Sequence, residues 1–277
     1  MAECTHNCST CSQKCSTEIE YFSLHELAKV KNVIGIVSGK GGVGKSLVTS
    51  LVASKMAKLG YKVGILDADI TGPSIPKSFG ETELAMGSEL GIYPNETKEG
   101  IKIMSVNLLV EDPNRPVIFR GPALGSLIQQ FYSNVIWGDL DYLFIDMPPG
   151  TADVTLTIFQ QIPVDGIIVV STPQDLVKMI VKKSITMADM LNVKVLGLVE
   201  NMSYVKCPNC NEKFEIFGKS HIYETATEHN LEVLANLPID PLIREYVDNG
   251  RIYDYDCEGL ERLVEILKGS LINRVCK

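Results

Sequence analysis

The stretch that most constrains this chain runs from Gly39 to Ser46 and reads Gly39-Lys40-Gly41-Gly42-Val43-Gly44-Lys45-Ser46. Before it stands the apolar, β-branched run Val33-Ile34-Gly35-Ile36-Val37-Ser38; after it, Leu47 to Leu59 carries apolar residues at helical spacing. Strand, glycine loop and helix in that order are the context in which such a loop binds phosphate. Gly39, Gly41, Gly42 and Gly44 permit positive φ and a close approach of backbone to ligand. The backbone N–H groups of the loop, that of Val43 included, can then cradle phosphate oxygens, aided by the positive end of the following helix. Lys45 is placed to reach the β- and γ-phosphates, and the Ser46 hydroxyl to ligate Mg²⁺. A glycine turn with a solvated lysine is the bland alternative, and the flanking strand and helix argue against it.

A chain of 277 residues with 45% hydrophobic content can build one large domain around a substantial core. A net charge of −8 disfavours broad nucleic-acid binding and adsorption to anionic lipid, both of which need concentrated basic surface. No run of about 18 apolar residues is present, so no membrane span is expected. The first residues are polar and cysteine-rich rather than apolar, and a cytoplasmic protein is expected. In a reducing compartment, clustered cysteines more often bind metal than form disulfides. Cys257 and Cys276 stand alone and read as ordinary thiols.

Along the chain, residues 1–16 form a cysteine-rich segment with Cys4, Cys8, Cys11 and Cys15 among Ser, Thr, Asn and Gln. So little apolar content cannot order itself without a metal or cluster; zinc and an iron–sulfur cluster both accept four thiolates, and a disordered tail of free thiols is the alternative. Residues 17–31, with Ile19, Phe22, Leu24, Leu27 and Val30, predict a short connector helix. The main domain spans 32–277. Its second strand, Lys62 to Leu66, leads to Asp67-Ala68-Asp69, carboxylates at a strand end where they can hold Mg²⁺ through water or orient an attacking water. Glu81 to Lys98 predicts a variable loop. Asp141-Tyr142-Leu143-Phe144-Ile145-Asp146 is a buried strand ending in an acid, so Asp146 is placed to hold Mg²⁺ through its water shell. Gly150, just beyond, can offer its N–H to a γ-phosphate and so sense hydrolysis. Further strands at Gly166 to Ser171 and Val193 to Glu200, with a helix from Val177 to Leu191 between them, predict an α/β, three-layer fold with a mostly parallel central sheet flanked by helices.

These motifs occur together with Arg120-Gly121-Pro122, Trp137-Gly138-Asp139, Asp146-Met147-Pro148-Pro149-Gly150-Thr151, Glu200-Asn201-Met202-Ser203 and Cys207-Pro208-Asn209-Cys210. From Val33 onward the chain closely resembles the Mrp family of iron–sulfur cluster carrier ATPases, relatives of the nitrogenase iron protein and of septum-site partition ATPases. The resemblance implies a P-loop NTPase working as a face-to-face homodimer, with Lys40 reaching the partner's nucleotide and Lys45 and Asp69 acting in hydrolysis. It implies that Asn201 and the Pro238-Ile239-Asp240 loop contact adenine. It also implies that Cys207 and Cys210 are the cluster pair. Two thiolates are too few for a closed four-thiolate site, and a two-fold dimer supplies four, so one bridging 4Fe-4S cluster follows; zinc on the same thiolates is the alternative.

The implied function is ATP-dependent delivery of that cluster to apo iron–sulfur proteins, with slow hydrolysis to ADP and phosphate coupled to the dimer state. A partition-type switch on membrane or DNA and a zinc-stabilised nucleotide-binding protein are the competing readings. The apolar stripe Leu260, Leu263, Val264, Leu267, Leu271 and Ile272 runs with Glu258, Glu261 and Glu265, which suits packing on the domain better than anionic lipid. Two departures stand out. The N-terminal cysteine spacing is not that of the eukaryotic cytosolic members. After Phe217-Gly218-Lys219, Ser220-His221-Ile222 replaces the usual glycine run.

Overall fold

A computed structural model describes residues 21–70, 72–110, 121–150, 153–174 and 176–275. The element order is β1 (Lys29–Ser38), α1 (Lys45–Lys58), β2 (Val63–Asp67), α2 (Ile75–Phe79), β3 (Met86–Gly87), β4 (Ile92–Tyr93), β5 (Asn95–Glu96) and β6 (Lys102–Ser105). There follow α3 (Gly121–Ser133), β7 (Asp139–Asp146), α4 (Asp153–Gln161), β8 (Gly166–Ser171), α5 (Leu176–Met190), β9 (Val195–Lys206) and β10 (Lys213–Phe214). The described chain ends with α6 (Ile222–Glu228), β11 (Val233–Pro238), α7 (Pro241–Asp248) and α8 (Glu261–Val275).

One sheet organises these elements, in the order β10-β9-β8-β1-β7-β2-β6-β5, with β11 also paired to β9. The pairings from β6 through β7 and β1 to β9 and β11 are parallel; β5 and β10 join antiparallel at the margins. Strands buried on both faces read as continuous apolar runs, and β2 and β8 are buried at every position. Alternation decides the face. Val33 and Val37 of β1 enter the core that also holds Phe131, Trp137 and Ile185, while Ile34 and Ile36 enter the core that holds Val48, Val52 and Leu263. Helices α3, α5 and α6 thus cover one face, and α1 and α8 the other.

The apolar stripe of the last helix is spent on this second core: Leu260, Leu263, Val264 and Leu267 are buried, and the Tyr142 hydroxyl donates to the Leu267 carbonyl at 2.9 Å. Among the described residues no helix is long and apolar enough to cross a membrane.

Two expectations are corrected. The connector helix over 17–31 is not formed where the structure describes it: residues 21–28 contain only a turn closed by Ala28 N–H on the His25 carbonyl, and β1 already begins at Lys29. Phe22, Leu24, Ala28 and Val30 are partly buried against the first core, and the Phe22 N–H donates to the Gln161 carbonyl at 2.6 Å, so tertiary packing takes the apolar residues without helix. The expected loop over Glu81 to Lys98 contains the β3–β4 hairpin and β5, which extends the main sheet. Its polar, glycine-spaced composition hides strands only two residues long. The cysteine-rich segment 1–16 lies outside the described residues.

Candidate nucleotide and cluster sites

Parallel strands deliver their C-terminal ends to one edge of the sheet, and the chemistry collects there. In register, Ile36 lies beside Asp146, Asp146 beside Asp67, and Asp67 beside Ser105. The phosphate loop leaves the end of β1 and turns into α1. Gly42 and Gly44 adopt φ near +82°, which only glycine takes readily; Gly39 and Gly41 are not in that region. Gly44 is also pressed by its surroundings, since a Cβ there would lie 2.2 Å from Asn201 Nδ2.

Lys45, 5% exposed, places Nζ 2.8 Å from Asp146 Oδ1 and 3.7 Å from Asp69 Oδ2. The Ser46 hydroxyl donates to Asp146 Oδ2 at 2.5 Å, and the Thr49 hydroxyl donates to Asp146 Oδ1 at 2.8 Å. Asp67 accepts from Ser105 Oγ at 3.1 Å and from the Asp69 N–H at 3.2 Å. Asp67 and Asp146 are wholly buried, and the buried Lys45 pairs with Asp146 directly and reaches Asp67 only through its charge. Burial first, then the neighbouring Asp146 charge, pushes the Asp67 carboxyl up to about 8. Two buried carboxylates and a serine hydroxyl against one lysine are a hard-oxygen set short of positive charge. That set fits Mg²⁺, with Ser46 and Asp146 as its holders and Asp67 behind them.

The cleft beside this loop has a volume of about 490 Å³. Its walls are the loop itself, Asp69, Asn201, Met202, the Pro238–Asp240 turn, and Ile243, Arg244 and Val247 of α7. The expected base-contacting residues are therefore gathered here, with their polar atoms already engaged. Asn201, 2% exposed, donates through Nδ2 to the Val43 carbonyl at 3.0 Å, bracing the phosphate loop. Asp240 caps α7 by accepting from the Leu242 N–H at 2.9 Å and accepts from the Tyr255 hydroxyl at 2.7 Å. Gly150 likewise gives its N–H to the Ser38 carbonyl at 2.8 Å, so sensing a γ-phosphate requires that bond to open. Lys40 is exposed at the mouth of the cleft and has no ion-pair partner among the described residues, the disposition a trans-acting lysine needs.

Cys207 and Cys210 sit on the hairpin between β9 and β10. The turn is closed by Asn211 N–H on the Cys207 carbonyl and Cys207 N–H on the Glu212 carbonyl, both 2.9 Å, with Asn211 left-handed at φ 58°. The backbone N–H groups of Asn209 and then Cys210 point at the Cys207 sulfur and hold its thiol below the usual range. Both cysteines reach the surface; Cys257 is buried, and burial pushes its thiol up to about 12, as befits a packed thiol. Among the described residues no group of three or more His, Cys, Asp or Glu side chains is placed to hold a metal, so Cys207 and Cys210 stand as a pair. Cys4, Cys8, Cys11 and Cys15 lie outside the described residues.

Sequence reasoning missed Thr49, Ser105, Glu200, Ser203 and Ser220. Thr49 was legible as the residue one helical turn beyond Lys45, and Ser203 as the local partner of Glu200; Ser105 and Ser220 meet Asp67 and Glu200 only through the tertiary fold.

Known proteins resemble this chain along most of its length. An iron-sulfur cluster carrier protein of Methanocaldococcus jannaschii is 46% identical over 279 residues, 97% of this chain and 96% of that protein. The cytosolic Fe-S cluster assembly factor CFD1 of Kluyveromyces lactis is 40% identical over 264 residues, 92% of this chain and 91% of that protein. A nucleotide-binding protein of Archaeoglobus fulgidus, solved in complex with ADP, aligns at 43% identity with a TM-score of 0.74, covering 82% of this chain and 89% of that one. The cell division ATPase MinD of Pyrococcus furiosus, at 20% identity and a TM-score of 0.60, shares the fold. The family described as ParA: NUBPL iron-transfer P-loop NTPase matches residues 29–268. With its glycine loop, buried acids and cysteine hairpin in one P-loop fold, the chain belongs to that NUBPL iron-transfer P-loop NTPase family.

Proposed function

We propose that this protein is an ATP-dependent carrier that holds a 4Fe-4S cluster between two copies of itself and passes it to apo iron–sulfur proteins. The observation that carries the reading is the hairpin at the end of β9. It offers two surface thiols, one held below the usual range by backbone N–H groups, on the strand that also walls the nucleotide cleft. A thiolate pair with no third ligand beside it binds a four-thiolate cargo only when a second pair meets it, which a two-fold dimer provides. The relatives' names support the same cargo.

In hydrolysis the residues act by position and charge. The phosphate loop and Lys45 hold the β- and γ-phosphates. Ser46 and Asp146 would hold Mg²⁺, which when bound would supply positive charge to the phosphates. Asp69 orients the attacking water, and Lys40 of one copy reaches the nucleotide of the other. Asn201 and the Pro238–Asp240 turn bound the base, with Met202, Ile239 and Ile243 supplying apolar contact. Lys45 already touches both Asp146 and Asp69, so the same cation links the metal holder to the water-orienting acid. A membrane-cycling switch is disfavoured by the last helix, whose stripe residues Leu263, Val264 and Leu267 are buried in the core. The carrier reading places the protein in the cytoplasm, where apoprotein recipients are made.

Iron, sulfide and zinc content of protein purified without oxygen, with its visible spectrum, tests this beside Cys207→Ala/Cys210→Ala. Iron and sulfide near four each per dimer, lost in the variant, are expected. Stoichiometric zinc and no iron after reconstitution would overturn it. Iron surviving in the variant would place a second cluster on Cys4, Cys8, Cys11 and Cys15.

A further inference from the structure

The two sites share one strand, β9, and its pairing with β11 shifts register between them. Asn201 braces the phosphate loop through the Val43 carbonyl and lies against Gly44. Its neighbour Glu200, also 2% exposed, accepts from Ser203 Oγ at 2.8 Å and from Ser220 Oγ at 2.5 Å. Ser220 lies beyond β10, in the segment that leads from the cysteine hairpin into α6, where its oxygen also accepts the Ile222 N–H at 3.1 Å. Met202, the next residue after Asn201, is left-handed at φ 60°, an unfavourable state for a bulky side chain. The pairing of β9 with β11 slips here, between the Glu200–Asn236 and Tyr204–Pro238 pairs. Beyond the slip, β9 continues to Lys206, the residue before Cys207; an extended chain from Asn201 to Cys207 spans about 20 Å.

A left-handed methionine in a bulge persists only where its surroundings hold it. The holders are the Asn201–Val43 bond on the nucleotide side and the Glu200–Ser220 bond on the cysteine side. A nucleotide that draws the phosphate loop or the Asn201 amide toward itself alters the first holder, and the bulge then rests on the second alone.

We propose that the Glu200–Ser203 bulge is the link through which nucleotide in the cleft sets the geometry of the Cys207–Cys210 pair, with Ser220 as the positioning residue that ties the segment following the cysteine hairpin to it. The inference deepens the carrier reading and rests on it. By linkage, loading of the cysteines shifts nucleotide affinity by the same factor that nucleotide shifts the affinity of the cysteines for their cargo.

The test reads thiol geometry without the cluster. Full-length, cluster-free, reduced protein is alkylated with iodoacetamide, with and without saturating Mg²⁺ and a non-hydrolysable ATP analogue. The rate is followed by mass spectrometry on the peptide bearing Cys207 and Cys210. In the wild type the analogue is expected to change that rate about fivefold or more, the lower range of allosteric coupling. In Ser220→Ala the change should shrink below about twofold at unchanged analogue affinity, and Ser220→Thr should restore it. Glu200→Gln, which keeps the shape and weakens the acceptor, should lie between. A Ser220→Ala protein that keeps the full response, or a wild type with none, would overturn the link. Iron and sulfide binding, measured on the same preparations, reports the carrier reading separately. A nucleotide response without cluster loading defeats that reading, and loading with the response intact in Ser220→Ala defeats the link alone.

Discussion

Replacing Gly44 by alanine tests whether the phosphate loop is held by the wall behind it. Two glycines of the loop share the same backbone state, φ near +82°, and differ in surroundings. A Cβ on Gly42 meets nothing within 4 Å, whereas one on Gly44 lies 2.2 Å from Asn201 Nδ2. Gly42→Ala therefore carries only the left-handed penalty, about 1–2 kcal/mol. Gly44→Ala carries that penalty and must also displace Asn201 from the Val43 carbonyl, leaving a buried amide and carbonyl unpaired at about 1–3 kcal/mol more. The expected destabilisation is thus about 2–5 kcal/mol against about 1–2 for Gly42→Ala. Urea unfolding of nucleotide-free protein measures both, and the double variant Gly44→Ala/Asn201→Ala, which removes the clashing amide, should recover part of the difference. Equal destabilisation by the two single variants, or no recovery in the double, would refute the argument that Asn201 braces the loop.

Asp67 predicts a pH dependence with a definite sign. Its folded-state carboxyl is raised to about 8 from 3.8, so the folded protein holds a proton that the unfolded chain has released; the stabilising contribution is complete below about pH 4 and is lost as pH rises toward 8. In Mg²⁺-free protein, Asp67→Asn should flatten the fall in urea stability between pH 5 and 7.5, which for this group is about 3 kcal/mol, and an unchanged slope would count against the buried charge pair. Lys40→Ala should leave analogue binding within about threefold and lower ATP turnover by about 10³ or more, measured as phosphate release, if the lysine acts across the dimer as an arginine finger does. Asp240→Ala should cost about 1 kcal/mol of stability through the lost α7 cap, with Asp240→Asn largely neutral by thermal melting.

The phosphate loop, the acid-terminated strand, the parallel α/β fold and the cysteine pair were legible in the residues, because each is a local pattern. A glycine spacing, a β-branched run ending in aspartate and a Cys-x-x-Cys hairpin report themselves over fewer than ten neighbours. The short strands inside 81–98 and the course of residues 21–28 were not legible, since tertiary contacts rather than periodicity place them. The roles expected of Asn201, Asp240 and Gly150 show the same boundary. The sequence names them as cleft residues, and all three line or adjoin the phosphate site. Only packing reveals that each polar group is engaged elsewhere, on the Val43 carbonyl, the α7 N-terminus and the Ser38 carbonyl.

Local chemistry along the chain therefore settles that a phosphate-cradling loop, a buried acid and a thiol pair exist. Their mutual arrangement belongs to the sheet. Register sets Asp67 beside Asp146 and Ser105, residues separated by 79 and 38 positions in the chain, and thereby brings two buried carboxylates side by side, with Lys45 paired to Asp146. The same sheet extends β9 past the nucleotide cleft to the cysteines and folds Ser220 back onto Glu200. Hydrogen bonds between distant residues leave no trace in spacing, because a hydroxyl's partner is chosen by the backbone that carries it and not by its neighbours in sequence.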